Sequence, residues 1–97
     1  MTDSPIFLFH AVVSGYVQGV WFRNFISDRA SFLGLTGWVR NTYDGDVEIC
    51  AEGPRSDLEV LLAAMHKGPN SAMVIDVREQ WDQPSGKFTR FLIIPTS

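Results

Sequence analysis

The hydrophobic period of this chain changes once near its start, and that change limits the folds open to it. In IFLFHAVV the apolar residues alternate as in a strand, with Phe7, Phe9, Ala11 and Val13 on one side and Leu8, His10, Val12 and Ser14 on the other. From Phe22 the spacing becomes helical. Phe22, Phe25 or Ile26, Arg29 or Ala30, and Leu33 recur on one face, and Gly34 follows as a left-handed cap. Between the two lies GYVQGV, Gly15 to Val20, so a strand passes into a helix through a short bend.

The remaining chain continues the alternation. LTGWVRN reads as a second strand and GDVEICAE as a third, in which Val47, Ile49 and Ala51 oppose Glu48, Cys50 and Glu52. TYDG joins them as a hairpin, since Asp44–Gly45 suits positive φ. In GPRSDLEVLLAAMHKGP, Ser56 and Glu59 have capping-box spacing, and Leu58, Leu61, Leu62 and Met65 line one helical face before Gly68 and Pro69 end it. AMVIDVREQW reads as a fourth strand. After the turn DQPSGK, FTRFLII reads as a fifth, with Phe91 and Ile93 expected to face inward together. The order is βαββαβ with an additional C-terminal edge strand. Two helices on one face of an antiparallel sheet make the α+β ferredoxin-like sandwich, here expected as a single domain spanning 1–97.

Composition narrows the function. A chain of 97 residues that is 45% hydrophobic and 12% aromatic supports one modest core rather than disorder. A net charge of −3 leaves no general basic surface, so neither nucleic acid nor a membrane is an expected partner. The leader MTDSP carries Asp3 and no Lys or Arg, and an eight-residue apolar run cannot span a bilayer, so the run reads as a strand and not a signal peptide. One cysteine, Cys50, forms no internal disulfide, and no Cys/His cluster has metal-ligand spacing. No metal and no cofactor is expected, and the expected location is cytoplasmic.

Any cationic site must therefore be local. Successive backbone N–H groups in a glycine-containing bend form a concave nest for an anion, and the helix N-terminus after it adds partial positive charge. Arg23 lies in that first turn and could meet the same anion with its forked guanidinium. The alternative is a plain tight turn followed by a surface arginine. The P-loop pattern is absent. Asn41, at the end of the second strand, is either an ordinary turn asparagine or a neutral amide that holds a water molecule. His10 and His66 read as ordinary sheet-face and helix-end residues without a partnered carboxylate at suggestive spacing, Cys50 as half-exposed, and Trp21 as packing or a pocket wall. The carboxylates are scattered, with no acid/base pair.

GYVQGVWFR, Gly15 to Arg23, and GWVRNTYDGDVEICAEG, Gly37 to Gly53, resemble the two signatures of the acylphosphatase family. The similarity continues through LGL, the helix after GP, and KGPNSAMV, so it covers nearly the whole chain. The resemblance implies the ferredoxin-like sandwich and hydrolysis of the carboxyl–phosphate bond of acyl phosphates to a carboxylate and orthophosphate. It also implies that Arg23 binds the phosphoryl group and Asn41 orients the attacking water. The phosphate cradle it implies draws on Gly15, Tyr16, Val17, Gln18, Gly19, Val20 and Arg23. Many members carry Arg or Lys where this chain has Tyr16, a departure that removes a supplementary attraction and leaves the main-chain cradle. Nothing in either signature looks selective for the acyl group.

Physical chemistry explains how so sparse a site suffices. The leaving group is a carboxylate, stable without protonation, so the reaction needs positioning and charge stabilisation rather than a general acid. The rival readings are a non-catalytic anion-sensing module, which would not need Asn41, and an RNA-binding ferredoxin-like module, which would want exposed aromatics on a basic face. A monomer is expected.

Overall fold

The computed structural model describes residues 4–97, so Met1 to Asp3, part of the leader, lie outside the described residues. The elements are β1 (Ile6–Tyr16), α1 (Phe22–Phe32), β2 (Thr36–Asn41), β3 (Val47–Pro54), α2 (Arg55–Lys67), β4 (Met73–Asp82) and β5 (Phe91–Ile93). Together the strands make one sheet in the order β4, β1, β3, β2, β5, with β1 and β3 central. The first four strands pair antiparallel. The ferredoxin-like βαββαβ order is thus present, with the expected extra strand.

The alternation read in the first strand fixes which side of the sheet is buried. Phe9, Ala11 and Val13 of β1, Val39 of β2, and Val47, Ile49 and Ala51 of β3 share one core with Phe22, Ile26 and Ala30 of α1 and Leu58, Leu61 and Met65 of α2. Each fully buried Leu, Ile or Phe contributes roughly 1.5–3 kcal/mol, which is why these few periodic positions hold the helices on the sheet. Among the described residues, no helix is long and apolar enough to cross a membrane.

Four details differ from the sequence-based expectations. The capping box is not made: Pro54 is the N-cap of α2, without a side-chain cap bond, and Ser56 lies inside the helix. Because β3 runs into α2 with no loop, the caps come from the segment before β1. The Arg55 amide donates to the Pro5 carbonyl at 2.8 Å and the Ser56 amide to Ser4 Oγ at 3.0 Å, while Glu59 pairs with Arg55. Secondly, β5 is only three residues long and runs parallel to β2 at the sheet edge, since the chain crosses from the far edge and re-enters in the opposite direction to β4. There Phe91 is buried, whereas Ile93, on a strand flanked on one side only, stays 41% exposed.

Thirdly, Cys50 is 8% exposed, because its cross-strand neighbours His10 and Trp38 flank it with their rings 6.3 Å apart. Burial, helped by the charges of Glu52 and Glu48, pushes its thiol up to about 11. Fourthly, His10 does have a carboxylate partner. Its Nε2 lies 2.5 Å from Glu48 Oε2, and Arg40 Nε donates to the other oxygen of the same carboxylate at 2.7 Å. Strand register brings these residues together across 38 positions of sequence.

Candidate active site

The bend after β1 begins with a change of register. β1 continues past Val13 to Tyr16, with an irregularity between Ser14 and Gly15, so Gly15 and Tyr16 are strand residues opposite Val74 and Met73. Gly15 answers to close approach rather than to turning, since a Cβ there would lie 2.2 Å from the Met73 carbonyl oxygen. Gly19 does the turning. It sits in the bend at φ 71°, with open space where a side chain would be. Bulges of this kind re-aim the chain beside functional sites.

Trp21 is the N-cap of α1 and has φ 64° and ψ 19°, with no side-chain cap bond. The bond from the Phe25 amide to the Trp21 carbonyl, 2.9 Å, opens the helical ladder, which leaves the N–H groups of Phe22, Arg23 and Asn24 without intrahelical acceptors. No acidic residue occupies that first turn. The helix end therefore keeps its partial positive charge for an anion.

These residues surround a cavity of about 250 Å³ lined by Val17, Gly19, Trp21, Phe22, Arg23, Asn24 and Asn41. The fold thus brings Arg23, from the first turn of α1, to the same cavity as Asn41, from the end of β2. Among the described residues Arg23 forms no ion pair, whereas Arg40, Arg55 and Arg78 are paired with carboxylates. Asn41 Oδ1 is buried and has no protein hydrogen-bond partner among the described residues. An unsatisfied buried acceptor costs about 1–3 kcal/mol, so its retention calls for a donor arriving from outside the protein.

Gln18 and Val20 of the bend, by contrast, do not line the cavity. Gln18 Nε2 donates to the carbonyls of Thr42 and Asp46, both at 2.8 Å, and so ties the bend to the turn that follows Asn41. The Thr42 amide closes that turn on the Asp46 carbonyl at 2.9 Å. Val20 is buried, and its carbonyl accepts from Ser71 Oγ at 3.3 Å. Sequence reasoning missed the Gln18 contact, which joins positions 24 and 28 residues apart and has no local signature. It also missed the left-handed Trp21. The one available signal was the absence of Ser, Thr, Asp or Asn immediately before Phe22, where a capping residue would ordinarily stand. Among the described residues, no group of three or more His, Cys, Asp and Glu side chains is placed to hold a metal ion.

Comparison with known proteins identifies the family. A family model described as Acylphosphatase matches residues 9–93. The acylphosphatase of Methylococcus capsulatus is 48% identical over 87 residues, which cover 88% of this chain and 92% of that protein. The acylphosphatase of Syntrophotalea carbinolica is 51% identical over 79 residues, covering 81% and 86% respectively. Among solved structures, that of acylphosphatase from Bacillus subtilis superposes with a TM-score of 0.88 at 36% identity, covering 91% of this chain and 98% of its own.

Proposed function

The chain belongs to the acylphosphatase family and hydrolyses acyl phosphates to a carboxylate and orthophosphate, and from this we propose a division of labour within the cavity. The main-chain amides from Tyr16, the last residue of β1, through the bend to Val20 and the guanidinium of Arg23 hold the phosphoryl oxygens. Asn41 holds the attacking water. Charge spreads over the equatorial oxygens in the transition state, and preorganised donors aimed at them lower the barrier without reorganising.

The step balances without a protein acid or base. The water oxygen bonds to phosphorus as the bond from phosphorus to the acyl oxygen breaks, and the electron pair leaves with the carboxylate. One proton of the water stays on its oxygen and the other passes to a phosphate oxygen, so a dianionic acyl phosphate and water yield a carboxylate and dihydrogen phosphate. The Asn41 amide, which never ionises, accepts a hydrogen bond from the water and turns a lone pair toward phosphorus.

The observation that carries this reading is the buried Oδ1 of Asn41, without a partner among the described residues, in the cavity that Arg23 also lines. Asn41→Ala tests it, because it removes the water's partner and leaves the anion cradle intact. We expect kcat to fall by roughly 10²-fold or more, with KM and competitive inhibition by orthophosphate changed far less. Normal kcat in the folded variant would return Asn41 to an ordinary turn residue. The proposal also places the enzyme in the cytosol, as a one-domain monomer over residues 1–97; its one cysteine, Cys50, is buried as a free thiol and fits a reducing compartment.

A further inference from the structure

We propose that Trp21 is the acyl-recognition wall of this site, and that the enzyme favours acyl phosphates whose acyl group is flat and aromatic over short aliphatic ones. The inference rests on the phosphate being held by the bend and Arg23. Two independent observations single out Trp21. Among the described residues it is the one non-glycine residue with positive φ, a conformation that a bulky side chain rarely adopts. It is also 75% exposed although it lines the cavity.

Neither local propensity nor packing accounts for an indole there. Glycine or asparagine would take the left-handed conformation more readily. The other two tryptophans are engaged by the protein: Trp38 lies against His10 and under Arg40, and Trp81 lies against Phe7 and Phe9 and under Arg55. Trp21 takes part in no ring or cation contact of this kind among the described residues. Strained backbone of this kind clusters at active sites and ligand clamps.

The cavity's own anatomy indicates which part of the ligand. Its inner lining, Val17 and Phe22, is buried, while Gly19, Trp21 and Asn24 are exposed and form its rim. With the phosphoryl end against the bend amides and Arg23, the acyl group extends across this rim. Gly19 offers no side chain and Asn24 offers an amide, so the indole supplies the apolar surface. A planar acyl group stacks on an indole, whereas an acetyl group covers little of it.

The test compares benzoyl phosphate with acetyl phosphate as substrates of the full chain, and measures competitive inhibition by orthophosphate on the same preparations. Trp21→Gly removes the ring and accepts the left-handed backbone; Trp21→Phe keeps a ring. The wild-type ratio of kcat/KM, benzoyl over acetyl, is expected to drop about two- to tenfold in Trp21→Gly, chiefly through the KM for benzoyl phosphate, and to recover in Trp21→Phe. An unchanged ratio in Trp21→Gly would overturn the inference, and so would a proportionate loss of both substrates together with phosphate inhibition, which marks a merely structural residue. A wild-type protein that hydrolyses neither substrate and ignores orthophosphate would instead overturn the phosphate-site reading beneath it.

Discussion

At the scale of single residues, the cavity is defined by two side chains that the other described residues leave unsatisfied. Among those residues, no carboxylate pairs with Arg23 and no donor reaches Asn41 Oδ1. With no ion pair at Arg23 and no partner for Asn41 Oδ1 among the described residues, each is expected to matter for turnover more than for stability. Arg23→Gln removes the charge and shortens the fork. It should lower kcat/KM by about 10²-fold or more and weaken competitive inhibition by orthophosphate in parallel, because in the proposed mechanism the guanidinium meets the phosphoryl group both before and during the reaction. The melting temperature should hardly move. A variant that bound orthophosphate and turned over substrate normally would make Arg23 a surface arginine after a tight turn.

At the scale of elements, the site is a junction between the bend after β1 and the turn after β2, and one side chain sets their spacing. Gln18 directs both protons of its amide nitrogen to the Thr42 and Asp46 carbonyls. The same two carbonyls also accept from the Gly45 and Thr42 amides, at 3.2 and 2.9 Å, so removing Gln18 leaves neither of them orphaned. Gln18→Ala is therefore expected to cost only about 1 kcal/mol of stability, the net worth of an ordinary hydrogen bond. Its larger effect should be on rate, because the bend proposed to hold the phosphate and the strand end carrying Asn41 lose their common reference. We expect kcat to fall roughly tenfold or more while orthophosphate affinity changes little. A loss of stability with kcat intact in the folded fraction would make Gln18 a structural clamp only.

For the whole molecule, the sheet face opposite the helices governs acid stability. Burial of Glu48 would raise its carboxyl, but hydrogen bonds from His10 and Arg40 and the positive charge of Arg40 outweigh that and hold it below the ordinary 4.5. Burial of Glu52 acts the same way and is outweighed by the Ser85 hydroxyl and the Gly86 and Ser85 amides, which fasten the crossing between β4 and β5. A carboxylate held low in the folded state binds protons more readily once unfolded. Its stabilisation is therefore present above pH 4.5 and is lost as pH falls through the folded-state value beneath that. Melting temperature should thus decline as pH drops below about 4.5, and Glu52→Gln should be less stable at neutral pH with a shallower acid decline. An acid limb identical to that of the wild type would remove Glu52 from this role. Neither carboxylate lines the cavity.

What the sequence determined by itself was everything carried by neighbours along the chain. The alternation of Phe9, Ala11 and Val13, the helical spacing of Leu58, Leu61 and Met65, and the two contiguous signatures fix the element order, the buried faces and the family, because periodicity and motif are local properties. Only the tertiary structure decided what depends on register between strands tens of residues apart. It placed Asn41 in the cavity of Arg23 with its oxygen unpaired among the described residues, sent the Gln18 side chain to the Thr42 turn, and paired His10 with Glu48. It also replaced the Ser56 capping box with caps from Pro5 and Ser4, and turned β5 parallel to β2. The physical reason is the same in each case. A buried polar group takes whichever partner the folded chain brings within hydrogen-bond reach, and that partner is chosen by strand order and register rather than by sequence spacing.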